Sequence, residues 1–501
     1  MSLWLQRRTL VAYALSILTM AEIVDLTITS VAIPDLMGVL GANIEDISLT
    51  MTSYIVAAAV FIPLTGLMNN RYGIKKVALT STTIFGFASM LCGTSTSLNQ
   101  MIVYRLIQGI GGAFLPALAQ SYVIQTFEPH EQAKVMGIVT ICIVLGPIIG
   151  PVIGGYIVEN MNWRWIFYVN VPVCLLGVIL VAILMEETPI KNIKIDYISF
   201  IYMAIGISCL EYFVDKGNDN QWLESIKMIS FLAIAIIFIG FFLYRGITKS
   251  SVVNFKVFTN SNFILSCLMM FLFMGTLAGG LAYFSSMLQN VYHYPVDTAG
   301  YLQAPRGVAA IIGAPIYLFL SRKIDARILM SFALALSGMV MIAMAHFSDV
   351  HNTQLILILV LLQGFGMIGV FVLLMTIAFI GVGEGLSSDS SGVFNFFRNF
   401  SNSIGTSIAA TTLSTQQQVI WNDIAANISE HARGFSYYLH SIPAINKFAL
   451  LNLVIPQIQQ NVMLQSYLDL YYASGVILIS IMWLPFFLAK PNPNAKPVMG
   501  H

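Results

Sequence analysis

Apolar residues in this chain do not alternate with polar ones. They run in blocks, one after another, from about residue 11 to residue 489. Each block is about 17 residues or longer, the length of helix needed to cross the hydrocarbon layer of a bilayer. The pattern predicts about fourteen spans, near 11–33, 48–68, 77–95, 101–125, 134–157, 164–185, 195–214, 225–245, 262–290, 300–320, 327–346, 354–382, 391–411 and 469–489. A stretch of more polar chain, about 412–468, separates the last two and reads as a long outer loop.

Composition agrees with that pattern. Charged residues make up 9% of the 501 positions and the hydrophobic set 57%, against about 25% charged in soluble domains. The chain therefore reads as an all-α integral membrane protein. Arg7 and Arg8 lead directly into a first span too long for a signal peptide's apolar core. Basic residues fix the orientation. With the N-terminus inside, the outer side holds only Arg164, Lys216, Lys227, Arg433 and Lys447 of the 24 Lys and Arg, and Arg105 and Arg306 lie within spans. All the others, Arg398 among them, are assigned to inner loops, span ends and tails, the asymmetry of the positive-inside rule. Both termini are expected in the cytoplasm. The five cysteines fall in spans, so no disulfide framework is expected, and no histidine pair has ligand spacing, so no metal site is expected.

Two landmarks recur in order. The loop after the second span reads RYGIKK (71–76) and the loop after the tenth reads SRKIDAR (321–327). Gln108-Gly109-Ile110-Gly111 in the fourth span is matched by Gln363-Gly364-Phe365-Gly366 in the twelfth. An internal repeat of six spans against six follows. The expected organisation is a first half at 1–190, two inserted spans at 191–250, a second half at 251–490 and a short inner tail at 491–501. Duplicated halves with a site between them are the architecture of an alternating-access carrier.

Within the fifth span the chain reads GPIIGPVIGG, with Gly146, Gly150 and Gly154 recurring every four residues, Pro147 and Pro151 beside them, and Gly155 at the end. Four residues advance a helix by about 400°, so each set forms a nearly axial stripe. Glycine stripes are packing seams in membrane bundles; the doubled Gly-Pro pattern is rarer and points to a class of carrier. The first span holds Glu22 and Asp25, three apart and so on one helix face. Two carboxylates in apolar surroundings are costly when ionised, which makes them candidates for proton exchange. Arg105, three residues before Gln108, is the candidate partner and lies toward the outer half of its span. Met269, Met270, Phe271, Phe273 and Met274 in the ninth span form an adaptable apolar stretch suited to a cavity lining as well as to a core. Gln108, Met270, Phe273, Gln289 and Arg306 are the candidate cavity residues.

These residues resemble the fourteen-span drug:proton antiporter subfamily of the major facilitator superfamily, the EmrB-like efflux permeases. The run from Asp25 through Thr27 and Ser30 to Pro34 is similar to its first-span signature, with Ser30 in place of an Asn. Gly66, Arg71, Gly73 and Lys75 fit the inner-loop motif, which here has Asn70 where an acidic residue is usual. Arg105-Leu-Ile-Gln108-Gly109 fits the fourth-span motif, and Gly146 to Gly155 fits the motif of exporters. Asn162 to Pro172, Pro305-Arg306-Gly307 and Phe397-Arg398-Asn399 also resemble subfamily stretches. The resemblance implies the major facilitator fold and proton-coupled efflux of lipophilic compounds across the bacterial inner membrane. Glu22, Asp25 and Arg105 would handle the proton, and the proton gradient would drive transport with no cofactor. It also implies a periplasmic EmrA-like adaptor and a TolC-like outer-membrane duct as partners of the long outer loop. The rival reading is a carrier of one endogenous metabolite or fatty acid, in either direction; the Gly-Pro stripe argues against an importer. No nucleotide loop, paired metal ligands or Ser-His arrangement supports an enzyme.

Overall fold

The protein is described by a computed structural model covering residues 3–191, 193–249, 251–347, 353–383, 385–427 and 447–489. The first half contains α1 (Leu3–Val31), the short α2 (Ile33–Leu40), α3 (Ile44–Phe61), α4 (Thr65–Tyr72) and α5 (Ile74–Thr94). It continues with α6 (Leu98–Gly112), α7 (Leu115–Thr126), α8 (Pro129–Asn160), α9 (Trp165–Tyr168) and α10 (Asn170–Leu184). The inserted pair is α11 (Tyr197–Lys216) and α12 (Ile226–Thr248). The second half contains α13 (Ser261–Asn290), α14 (Val296–Tyr301), α15 (Ala304–Leu320), α16 (Ala326–Met344), α17 (Thr353–Ala378), α18 (Ser387–Asn427) and α19 (Lys447–Ser480).

Local chemistry sets the boundaries. Asn43, Ser97, Asn260 and Asp325 each accept a backbone N–H at the start of α3, α6, α13 and α16, satisfying donors that an uncapped helix end leaves free. Pro63 breaks the second span into α3 and α4 through a short 3₁₀ turn, and Pro116 starts α7 just beyond α6. Gly73 turns the chain from α4 to α5 at φ +83°, a backbone region that glycine reaches without strain. Pro147 and Pro151 break nothing: α8 runs unbroken for 32 residues through both.

Thirteen helical stretches among the described residues are long and apolar enough to cross a membrane. The expected thirteenth span lies in α18, which is not one of them because it is rich in polar side chains. The physical reason is where they point. Ser387, Ser388, Asp389, Ser390, Ser391, Asn395, Arg398, Ser401 and Ser407 are all buried against other helices. The polar stretch beyond it also differs from expectation. Instead of a loop from 412, α18 continues to Asn427 and α19 begins at Lys447. Residues 428–446 and the tail 490–501 lie outside the described residues.

The end of the bundle that carries Arg71, Lys75, Lys76 and Lys191 is its basic end. Direct side-chain hydrogen bonds between the halves gather toward it. Asn69 donates to Ser388 (3.3 Å) and Asn70 to Asp389 (3.2 Å). Gln125 donates to Ser387 and Ser388 (3.1 and 2.8 Å), and further in Asn395 donates to Gln120 (2.7 Å). At the far end the insert stands between the halves. From α11, Asp215 accepts from Thr52 and Lys216 donates to Ser48, both on α3. On its other side Glu211 accepts from Ser403 and the Val214 carbonyl from Ser407, both on α18. Trp222 adds a bond to Thr411 (3.0 Å).

Candidate functional site

The charged centre of the first half is built on four helices. Asp25, in the last third of α1, accepts from Arg105 Nη1 on α6 at 2.5 Å through Oδ2. Its Oδ1 accepts from Gln108 Nε2 (2.9 Å) and from Asn170 Nδ2 on α10 (2.6 Å). Arg105 also donates to Gln108 Oε1 (2.8 Å) and to the Thr50 carbonyl (3.4 Å), and its guanidinium lies 4.6 Å from the Tyr54 ring centroid. All these side chains are buried. A buried ion pair is tolerable only when its remaining donors and acceptors are also satisfied, and Asp25 meets that condition as a carboxylate.

Glu22 does not share this network, although one helical turn from Asp25. Its Oε1 accepts from Tyr54 Oη at 3.1 Å, and its Oε2 has no hydrogen-bond partner among the described residues. Glu22 is instead within electrostatic reach of Arg398 on α18 of the second half, and the two form no ion pair. The sequence reading placed Arg398 with the inner-side basic residues; the structure buries it in the body of α18. Tyr54 has no sequence signal, and Asn170 stands out only as part of the Asn162–Pro172 stretch, with no role attached to it. Neither residue's part in holding a carboxylate can be read from spacing until the fold brings them together.

The repeat is legible in the packing. Gly109 leaves room for the Tyr54 backbone, and Gly364 leaves room for the Arg306 backbone in the same way. Matched glycines thus seat a tyrosine in one half and an arginine in the other. Arg306 donates to Gln363 Oε1 (2.6 Å) and, more weakly, to Gln303 Oε1 (3.4 Å), and it lies 5.5 Å from the Phe284 ring. The candidate cavity residues do not converge. Gln108 and Arg306 sit inside separate halves; Met270 and Phe273 are fully buried, with Phe273 edge-on to Phe371 at 5.6 Å. Gln289, at the far end of α13, bonds to Ser285 on its own helix.

The glycine stripe of α8 faces α1. A Cβ at Gly146 would meet Ile23, one at Gly150 would overlap the Thr27 hydroxyl, and one at Gly154 would press on Ile28. The other side of α8 meets the second half, where Leu145 and Ile148 pack at Gly307 and Val152 at Gly300. The helix of the Gly-Pro motif therefore lies between the carboxylate-bearing α1 and the opposite half. In the inner-loop motif, Gly66 leaves room for Asp389, Gly73 packs at Thr188, and Arg71 donates to the Ile193 carbonyl (2.9 Å). Lys75 lines a small surface pocket with Tyr72, Lys76 and Glu187. Asn70, where the motif usually has an acid, meets one supplied by the other half, Asp389. Among the described residues there is no cluster of three or more His, Cys, Asp or Glu placed to hold a metal ion.

Two sets of membrane helices, an inserted pair and buried charges facing across the interface define a multi-pass membrane transporter, not an enzyme. The chain matches the Major Facilitator Superfamily over residues 15–406 and belongs to it. It is 30% identical to the multidrug export protein EmrB of Escherichia coli K12, over 95% of this chain and 94% of that one. It is equally identical to the multidrug export protein EmrB of Haemophilus influenzae, over 88% and 87%. The solved proton:xylose symporter XylE superposes with a TM-score of 0.60 at 14% identity, over 98% of this chain and 97% of that one, a likeness of fold alone. The chain is thus a multi-pass transporter of the bacterial inner membrane, akin to multidrug export proteins.

Proposed function

We propose that this protein exports lipophilic or amphipathic toxic compounds across the inner membrane in exchange for protons. The observation that carries the reading is Glu22: a buried carboxylate at the interface of the halves, with one oxygen held by Tyr54 and the other free. A carboxylate so placed can take a proton without first breaking an ion pair, whereas Asp25 is committed to Arg105. Exchange then follows from differential affinity. The deprotonated site, open to the cytoplasm at the basic end, takes the compound; a proton arriving from outside lowers the affinity and releases it. Arg105 holds Asp25 and, through Tyr54, the wall on which Glu22 rests. The resemblance to EmrB supports export as the direction, and it supports a periplasmic EmrA-like adaptor and a TolC-like duct docking at the far end. No cofactor is needed in this scheme.

The test is dye or drug efflux in inverted vesicles under an imposed pH gradient, comparing wild type with Glu22→Gln, Asp25→Asn and Arg105→Ala. Loss of gradient-driven transport in Glu22→Gln is expected; full transport in both acidic variants sinks the coupling assignment. Deleting about 420–460 should abolish efflux in cells while sparing transport in vesicles. Loss in vesicles too counts against adaptor docking.

A further inference from the structure

Arg398 is the least compensated buried charge in the described structure. It is 4% exposed, forms no ion pair within 4 Å and donates no described hydrogen bond; its Nη1 is enclosed without a partner. Arg105, by contrast, has Asp25, and Arg306 has Gln363. Within electrostatic reach of Arg398, in the other half, is Glu22, whose Oε2 is equally unpartnered. Two opposite buried charges, one from each half, therefore influence each other without closing into a pair. Leaving either buried and unmatched costs several kcal/mol, so an arrangement that holds them apart needs a reason.

The parts that hold them apart are visible. Glu22 is tethered by Tyr54, which in turn stacks under Arg105. Helix α18 is tied at several points along its length: Asp389 to Asn70, Asn395 one turn before Arg398 to Gln120, and Ser403 and Ser407 one and two turns beyond it to α11. Asn395 Oδ1 is also without a partner, a second unfilled polar atom within one turn of Arg398 on α18. The frame holds a carboxylate of the first half and a guanidinium of the second within electrostatic reach, each with a buried polar atom left unsatisfied.

We propose that Glu22 and Arg398 form a two-point receptor for amphiphiles whose head carries an anionic group beside an ammonium. Arg398 takes the anionic group, in the fork geometry suited to a carboxylate or phosphate; Glu22 takes the ammonium. Such a head satisfies both groups at once, which a cation, an anion or a neutral head cannot. The assignment rests on the reading of the chain as a carrier of amphiphiles and narrows it to a head-group class. It also agrees with exchange: a proton on Glu22 removes one of the two points and lets the compound go.

The test is equilibrium binding to the purified full-length protein in lipid nanodiscs, with no pH gradient. Four probes share one chain: N-dodecylglycine, dodecanoate, dodecylamine and dodecanol. N-dodecylglycine is expected to bind wild type about tenfold or more tightly than any of the others. Arg398→Gln should lower it to the level of dodecylamine, and Glu22→Gln to the level of dodecanoate, with dodecanol unchanged in both. Equal binding of all four probes to wild type overturns the proposal, as does an Arg398→Gln variant that keeps the preference. A wild type that prefers dodecylamine to N-dodecylglycine shows a plain cation site and also overturns it. The wild-type ranking decides even where a variant fails to fold. Because binding is read without a gradient, failure of proton coupling in vesicles leaves this result standing, and the reverse also holds.

Discussion

Arg105 Nη1 lies 2.5 Å from Asp25 Oδ2, with both side chains wholly out of contact with solvent. The pair ties α6 to α1 in the middle of the first half. Removing one partner leaves a buried charge unmatched, at about 3–5 kcal/mol. Arg105→Ala and Asp25→Asn are each expected to destabilise the protein by that order, and the double variant Asp25→Asn/Arg105→Gln by clearly less than the sum. Thermal unfolding in detergent, run as a double-mutant cycle, checks this; strict additivity would show that the two charges do not depend on one another.

Gly150 has no space for a methyl group because the Thr27 hydroxyl occupies it. Gly150→Ala should push α8 from α1 and cost about 1–3 kcal/mol as an overpacked contact, with loss of transport. Gly240 on α12 has nothing within 4 Å of a built Cβ. Gly240→Ala should therefore be neutral or stabilising by up to about 1 kcal/mol. Melting temperatures of the two variants side by side separate a packing seam from general intolerance of alanine.

The contact of Asn70 with Asp389 at the basic end should respond to pH. Asp389 lies ahead of the span proper, and burial, opposed by the Asn70 hydrogen bond and the nearby Lys191 charge, pushes its carboxyl up from 3.8 to about 6. A raised carboxyl value means that the closed contact favours the protonated form. Closure is fully supported below about pH 4 and weakens as pH rises toward and through about 6. Spin labels at Lys76→Cys and Lys323→Cys should report a longer distance at pH 8 than at pH 5. Asn70→Asp should exaggerate the opening at pH 8, by about tenfold in population, and much less at pH 5, where Asp389 is protonated. An opening that does not change with pH would remove Asp389 from the closure.

Trp222 reaches from the insert to Thr411 on α18 through its indole N–H. Trp222→Phe keeps most of the ring and removes that donor, at about 1 kcal/mol. Trp222→Ala should cost more, because the ring also packs edge-on against Phe213 at 5.4 Å. Differential scanning fluorimetry of the two variants checks the order; equal effects would mean that the hydrogen bond is the whole contribution.

Much of the fold could be read because a bilayer asks simple things of a sequence. Blocks of apolar residues marked the helices, and Q-G-x-G marked the repeat because glycines must recur where backbones meet. The thirteenth span shows the limit of that rule. Its polar residues face other helices rather than lipid, so hydropathy describes α18 poorly although its position was right. At the site, the pairing of Asp25 with Arg105 was half visible: the charges stood out, but spacing could not say which carboxylate Arg105 would take. Arg398 was misplaced for a related reason. Counting basic residues assigns a side of the membrane to each, and the count has no place for a cation kept between two halves. The same holds for Asn70, whose missing acid is supplied from Asp389, more than three hundred positions along the chain and close only after folding.

The insert gives the two flanks of the transporter different faces toward the lipid. On one flank α11 is bolted to α3 and to α18, with α12 outside it and largely exposed. On the other flank α8 and α15 meet directly, Leu145 and Ile148 packing at Gly307 and Leu318 at Gly137, away from the inserted pair. A membrane-dissolved compound bound for the proposed Glu22–Arg398 site would meet the inserted pair on the first side and the α8–α15 seam on the second. If the protein exports amphiphiles as proposed, entry from the bilayer should be one-sided, with α11 and α12 closing the first flank.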